Sequence, residues 1–150
     1  MKELEFAQII KDLGGTAYRV GRSIRNQLLG IPINDNDYCV IGIFQELFTA
    51  AFPNAVQVGQ SFPVFLLEID GEKCEVAFAR TERKTGTGHK GFEVVFNSDI
   101  TIEEDLSRRD FTMNAIAYDI ISQAIIDPFG GREDIHNKLI RATSQAFKED

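Results

Sequence analysis

The chain has 150 residues, enough for one domain with a substantial core, and its 43% hydrophobic and 26% charged composition is that of a folded globular protein without repeats or low-complexity tracts. A net charge of −7 argues against a generic nucleic-acid coat, while leaving room for a local basic groove or an acidic pocket that works with metal. No apolar run approaches the ~20 residues of a membrane span, and Met1-Lys2-Glu3-Leu4-Glu5 lacks a signal peptide's apolar core, so a cytoplasmic protein with no membrane partner is expected.

Phe6, Ile9, Ile10 and Leu13 recur at helical spacing, which predicts an amphipathic helix over residues 3–13 stopped by Gly14-Gly15. Residues 16–20 read as a short strand ending at Gly21, and residues 23–29 as a second helix with Ile24 and Leu28 inward and Gly30 as its stop. Strand, glycine turn and helix N-terminus together present backbone N–H groups to phosphate, although a plain αβ connection uses the same pattern more often.

Next comes Asn34-Asp35-Asn36-Asp37, running straight into Tyr38-Cys39-Val40-Ile41. On a strand, Asp35 and Asp37 fall on one face with Asn36 turned away. Two adjacent carboxylates repel unless a cation sits between them, and Mg²⁺ accepts one or two carboxylates while filling its shell with water and phosphate oxygens. The ordinary alternative is an Asx-rich turn before a strand. A Ca²⁺ loop fails, because Cys39 and Val40 stand where an EF-hand needs a ligand and a glycine.

Phe44, Leu47, Phe48 and Ala51 predict a helix closed by Pro53-Asn54. Residues 63–69 and 73–80 read as strands joined by a hairpin turn at Asp70-Gly71-Glu72. In the second, Glu75, Ala77 and Ala79 share one face, and Cys74, Val76 and Phe78 the other. Glu75 is then either a solvated edge residue or a third carboxylate facing the acidic pair. Both cysteines, Cys39 and Cys74, fall in apolar strand-like runs and are expected as buried reduced thiols, while His89 and His136 have no partners at zinc spacing.

Residues 81–91 contain no apolar side chain and carry Arg83, Lys84 and Lys90 against Glu82, which predicts a basic loop, either simply solvated or contacting phosphate or RNA. Residues 92–96 form another strand. The charged run Glu103-Glu104-Asp105-Leu106-Ser107-Arg108-Arg109-Asp110 gives way to Phe111, Ala115 and Tyr118 on a helix-like pattern, with Asp110 and Asn114 one turn apart. A salt-bridged helix start explains the run; equally, Arg109 beside Asp110 suits a triphosphate and a ribose hydroxyl, since Arg matches phosphate oxygens bidentately. Ile125-Ile126-Asp127-Pro128-Phe129-Gly130-Gly131 reads as strand then turn, followed by a short helix near residues 133–138.

In combination these segments resemble a known family. Tyr18-Arg19-Val20-Gly21 ahead of Asp35-x-Asp37, Phe62-Pro63-Val64-Phe65, the run from Glu75-Val76-Ala77-Phe78-Ala79-Arg80 to Thr87-Gly88, Arg108-Arg109-Asp110-Phe111-Thr112-Met113-Asn114-Ala115, and Ile126-Asp127-Pro128-Phe129-Gly130-Gly131 are similar, in order, to the head domain of the class II tRNA nucleotidyltransferases, which comprise CCA-adding enzymes and poly(A) polymerases. The resemblance covers the chain from about residue 16 onward. It implies an α+β (mixed α/β) nucleotidyltransferase head of the polymerase beta-like kind, a mixed β-sheet with helices packed on one face. Residues 1–141 would be the head and residues 142–150 the start of a neck.

The resemblance further implies that Asp35 and Asp37 hold catalytic Mg²⁺, with Glu75 as third carboxylate. It assigns nucleotide binding to Gly21, Arg22, Arg25, Arg109, Asp110 and Asn114, and likens residues 83–91, with Arg83, Lys84 and Lys90, to the family's flexible loop. The implied reaction is transfer of CMP and AMP from CTP and ATP to a tRNA 3′ end; A-only, CC-only or poly(A) addition, or a degenerate head that binds nucleotide without activity, are the alternatives. Two departures stand out. Arg22 replaces a second glycine, where a required positive φ would strain the turn by ~1 kcal/mol or more, and Arg25-Asn26 replaces the usual Arg-Asp. The family's templating Glu-Asp-x-x-Arg would begin at Glu149-Asp150, so the parts that choose the base and hold tRNA are expected outside this chain, leaving it a weak and unselective nucleotide binder.

Overall fold

The computed structural model describes residues 1–30, 36–59, 64–84, 92–96, 99–109 and 114–137, with residues 22, 23, 25, 80–84 and 92–96 described by backbone alone. Helix α1 (Glu3–Asp12) places Glu3 and Glu5 in its first turn and Lys11 in its last, matching the helix dipole, and buries Phe6, Ala7 and Ile10. The chain turns through Gly14 into β1 (Thr16–Val20), and Gly15 is held so tightly that a Cβ there would lie 2.5 Å from the Ile41 carbonyl oxygen. Helix α2 (Arg22–Leu29) follows Gly21 and stops at left-handed Gly30. Then come β2 (Asp37–Ile41), α3 (Gln45–Ala51), β3 (Val56–Val58), β4 (Val64–Ile69) and β5 (Glu72–Phe78). The remainder is β6 (Arg80–Lys84), β7 (Phe92–Phe96), α4 (Ile102–Ser107), β8 (Ala117–Asp119), β9 (Ile125–Ile126) and α5 (Gly131–His136).

Seven strands form one sheet in the order β3-β4-β5-β2-β1-β8-β9, and β6 pairs with β7 in a second, two-stranded sheet. The large sheet is mixed: β2 and β5 run parallel, whereas its other pairs are antiparallel. Asp70 and Gly71 both take positive φ, 55° and 79°, which suits the tight β4–β5 hairpin turn.

The expected α+β architecture with a mixed sheet is what forms. Helices α1 and α3 cover one face, where Phe6, Ile10, Tyr38, Val40, Phe48, Phe65 and Val76 make the main core. Phe48 is its hub, with ring centroids 4.9 Å from those of Phe52 and Phe65 and 5.5 Å from that of Phe78. Helix α4 packs Ile102 and Leu106 over Tyr18, Val20 and Cys39 on the opposite face. That second face is less covered over β4 and β5, where Leu66 and Ala77 are half-buried and Glu75 is exposed.

Helices cover both faces of the sheet rather than the one expected, since α4 packs opposite α1 and α3, and three further sequence-based expectations change. Residues 81–84 are not loop but part of β6, because the partner strand β7 satisfies their backbone groups although no side chain there is apolar. The helix-like spacing of Ala115 and Tyr118 is fortuitous: Ala115, Ile116 and Ala117 are all buried in succession, as in a strand covered on both sides, and Tyr118 lies in β8. The strand expected over residues 73–80 ends at Phe78, after which the Ala79 N–H still reaches the Val40 carbonyl and Arg80 joins the other sheet. Edge strand β3, exposed at all three positions, is too short for the alternation of Val56-Gln57-Val58 to mark it as a strand.

Candidate active site

The end of β1, the beginning of β2 and the middle of β5 meet in one row of the sheet. Asp37 opens β2 directly opposite Val20 and beside Glu75 of the parallel strand β5. Residues registered across neighbouring strands share a face, about 4.8 Å apart along the pairing direction. Asp37 and Glu75 therefore project from the second face, the one left more open over β5. The sequence left Glu75 between edge residue and third carboxylate, and the register puts it next to Asp37.

Gly21 adjoins this row. Its φ of 74° and ψ of −142° lie in a region essentially reserved for glycine, and it forms the N-cap of α2 without a side-chain cap bond. A Cβ placed on it would lie 3.6 Å from Asp37 Oδ2 and 4.0 Å from Arg109 Nη1. The missing side chain thus opens the space between a carboxylate and a guanidinium, at the end of a helix whose first N–H groups attract anions. The strain expected of Arg22 does not arise: it is the first residue of α2, and among the described residues the non-glycine positive-φ positions are Asp70 and Gln123. Gly21 alone carries the unusual turn.

Arg109 reaches the row from the end of α4. Thr101 and Glu104 form a reciprocal capping box that fixes the start of this helix. Its buried carboxylate Asp105 accepts from Arg108 Nε at 3.1 Å and from Arg109 Nη2 at 3.2 Å. Asp105 also lies near the Cys39 thiol, which burial and then the Asp105 charge push well above its ordinary pKa, against the opposing pull of Arg109 and Arg108. Asp105 was not a site candidate in the sequence. Its signal was present in the i, i+3 and i, i+4 spacing to two arginines and in its place between the inward-facing Ile102 and Leu106.

The structure thus brings together Gly21, Asp37, Glu75 and Arg109. Arg22 and Arg25 lie in α2, which starts at Gly21, and are described by backbone alone. Asn114 follows the arginine segment and precedes β8. Arg83 and Lys84 belong to the backbone of β6. Asp35, Asp110 and Lys90 lie outside the described residues, as do residues 142–150. Among the described residues no group of three or more His, Cys, Asp or Glu gathers as a metal cage. Two neighbouring carboxylates, hard oxygen donors, fit a cation that takes one or two protein ligands and completes its shell elsewhere, which is the habit of Mg²⁺. Tyr18, on the same face, has its phenol pushed up to about 12 by burial and, secondarily, by Asp119, Glu103 and Cys39. Cys39 and Cys74 are free and buried, as expected.

Comparison with known proteins points the same way. The family model described as "Poly A polymerase head domain" matches residues 17–141. The "Multifunctional CCA protein" of Vibrio vulnificus is 50% identical over 135 residues, 89% of this chain and 31% of that protein. The protein of the same name from Aromatoleum aromaticum is 48% identical over 133 residues, with the same coverage. The crystal structure of the Bacillus stearothermophilus CCA-adding enzyme in complex with CTP superposes with a TM-score of 0.81 at 39% identity, over 99% of this chain and 35% of that one. The Thermotoga maritima CCA-adding enzyme complexed with tRNA gives 0.69 at 28% identity, over 97% and 33%. The chain spans about a third of the length of these relatives.

Proposed function

The chain belongs to the poly A polymerase head domain family, and from that premise we propose that it is the nucleotidyltransferase head of a CCA-adding enzyme, moving CMP and AMP from CTP and ATP onto a tRNA 3′ end with release of pyrophosphate. The observation that carries the reading is the juxtaposition of Asp37, Glu75, Arg109 and the side-chain-free Gly21 in one row. We take residues 1–141 as the head and residues 142–150 as the start of a neck, in a cytoplasmic enzyme; no helix among the described residues is long and apolar enough to cross a membrane.

Asp35, Asp37 and Glu75 would hold Mg²⁺, which when bound offsets phosphate charge and lowers the pKa of the attacking RNA hydroxyl. The chain's own residues do the rest. Gly21 lets the triphosphate approach the backbone where any Cβ would intrude, and the N-terminus of α2 favours its negative charge. Arg109 offers paired N–H groups to phosphate oxygens from the other side of that gap. Arg22 and Arg25, from the first turn of α2, add positive charge, and Asp110 and Asn114 serve the ribose end. Arg83, Lys84 and Lys90 are assigned to contacts that accompany nucleotide exchange.

The test is incorporation of labelled CTP and ATP into tRNA lacking its CCA end. Weak, Mg²⁺-dependent incorporation that disappears in Asp37→Ala is expected of the 150-residue chain. Nucleotide binding without incorporation favours a head that binds but does not catalyse, and ATP-only incorporation favours the poly(A) branch that the family description names.

A further inference from the structure

We propose that the buried Asp105 is the positioning residue that aims Arg109 at the incoming triphosphate, an inference that rests on the reading of the Gly21–Asp37 row as a nucleotide site. Arginine has a long side chain with many rotamers, and pre-orienting its planar fork limits the freedom lost on binding. Here the fork is divided. Nη2 donates to Asp105 Oδ2 at 3.2 Å, while Nη1 lies 4.0 Å from the Cβ position of Gly21, whose other near neighbour is Asp37 Oδ2 at 3.6 Å.

The anchor is built to stay put. Asp105 is 0% exposed on a helix whose start is locked by the Thr101–Glu104 capping box, and its neighbours Ile102 and Leu106 are packed under the sheet. Its other oxygen accepts from Arg108 Nε, and its charge acts on the thiol of Cys39 in β2, two residues beyond Asp37 and on the same face. The carboxylate therefore ties the arginine segment to the strand that carries the acidic row. A role in stability alone would need a counter-charge for the arginines, but not the division of one guanidinium between a buried anchor and the Gly21–Asp37 row.

The experiment is a double-substitution cycle read by binding. CTP and ATP, each with Mg²⁺, are titrated calorimetrically into the 150-residue chain, Asp105→Asn, Arg109→Ala and the double variant, with circular dichroism melts showing that each is folded. Asp105→Asn keeps the shape of the side chain and removes its charge, and is expected to weaken binding about tenfold or more, the scale of a lost charge-assisted hydrogen bond. In the Arg109→Ala background the same change is expected to weaken it no further, which a merely structural role would not produce. Arg109→Lys, whose single ammonium cannot serve anchor and ligand together, is expected to lose binding to a similar degree, and it decides the matter if Asp105→Asn does not fold. Losses that multiply in the double variant, or wild-type affinity in folded Asp105→Asn or in Arg109→Lys, would overturn the proposal while leaving the nucleotide site intact. Failure of the unsubstituted chain to bind either nucleotide would instead overturn the site reading and the proposal with it.

Discussion

Replacing Gly21 by alanine separates the two reasons for a glycine at that position. At φ 74° and ψ −142° an L-residue is strained, at a cost on the order of 1–3 kcal/mol. Space does not add to that cost, because the new Cβ would meet Asp37 Oδ2 at 3.6 Å and Arg109 Nη1 at 4.0 Å, both ordinary contacts. For a domain of this size each kcal/mol lowers the melting temperature by roughly 2–4 °C, so a fall of about 3–10 °C is expected. The control is Gly30→Ala, at φ 73° and ψ 18° in the left-handed helical region, with nothing within 4 Å of its Cβ. It should cost only about 1 kcal/mol. Thermal unfolding by circular dichroism, paired with CTP titration on both variants, gives the comparison. Gly21→Ala should melt lower than Gly30→Ala and alone lose nucleotide affinity, since its methyl occupies the gap where phosphate enters. Equal melting temperatures would refute the strain argument, and wild-type affinity in a folded Gly21→Ala would refute the assignment of that gap.

Mg²⁺ should raise the melting temperature of the unsubstituted chain and leave that of Asp37→Asn unchanged, because the amide relieves the repulsion with Glu75 that the cation otherwise offsets; a thermal-shift titration shows it. Phe48→Ala should destabilise by about 3–5 kcal/mol, measured by urea unfolding, since the ring is fully buried among Phe52, Phe65 and Phe78. Alkaline pH should weaken the fold through Tyr18. Its folded pKa is raised from 10.0 to about 12, so its contribution is whole below pH 10 and is lost as pH climbs toward 12, by at most about 2.7 kcal/mol. Tyr18→Phe should flatten that part of the stability-versus-pH curve, and an unchanged slope would show that the phenol is not the group responsible.

How much could be read without coordinates follows from how local each signal is. Helix α1, strands β1 and β2 and the hairpin of β4 and β5 each advertise themselves within a dozen residues, by periodicity or by Asp70-Gly71, and they form nearly where expected. Strand β6 did not, because nothing in Thr81-Glu82-Arg83-Lys84 shows that a partner strand will take up its backbone bonds. Ala115 and Tyr118 misled for the opposite reason, a helical spacing produced by residues buried on both sides. Within the candidate site, Gly21, Asp37, Glu75 and Arg109 were named one by one through the family resemblance, whereas strand alternation alone left Glu75 an edge residue or a third carboxylate. The i, i+4 spacing of Asp105 and Arg109 was there to be read, but the approach of Asp105 to Cys39 was not, since it joins α4 to β2 across more than sixty residues of chain and no pattern within one segment encodes it.

The site depends on the one parallel pairing in the large sheet. Asp37 and Glu75 stand side by side because β5 lies parallel to β2 in this register, and parallel neighbours need a crossover rather than a tight turn. That crossover is α3, β3 and β4, and it is where the aromatic core is concentrated. Phe48 of α3 packs at a tilt against Phe65 of β4 and edge-on against Phe78 of β5, three residues beyond Glu75 and on the opposite face. A slip of β5 by one residue would turn Phe78 and Val76 out of the core and Glu75 into it, so the packing that excludes the slip also fixes where the carboxylate points. The apolar face thereby sets the geometry of the acidic one. Substitutions around Phe48 that keep volume but loosen packing are therefore expected to disturb the acidic row without any change to the residues that form it.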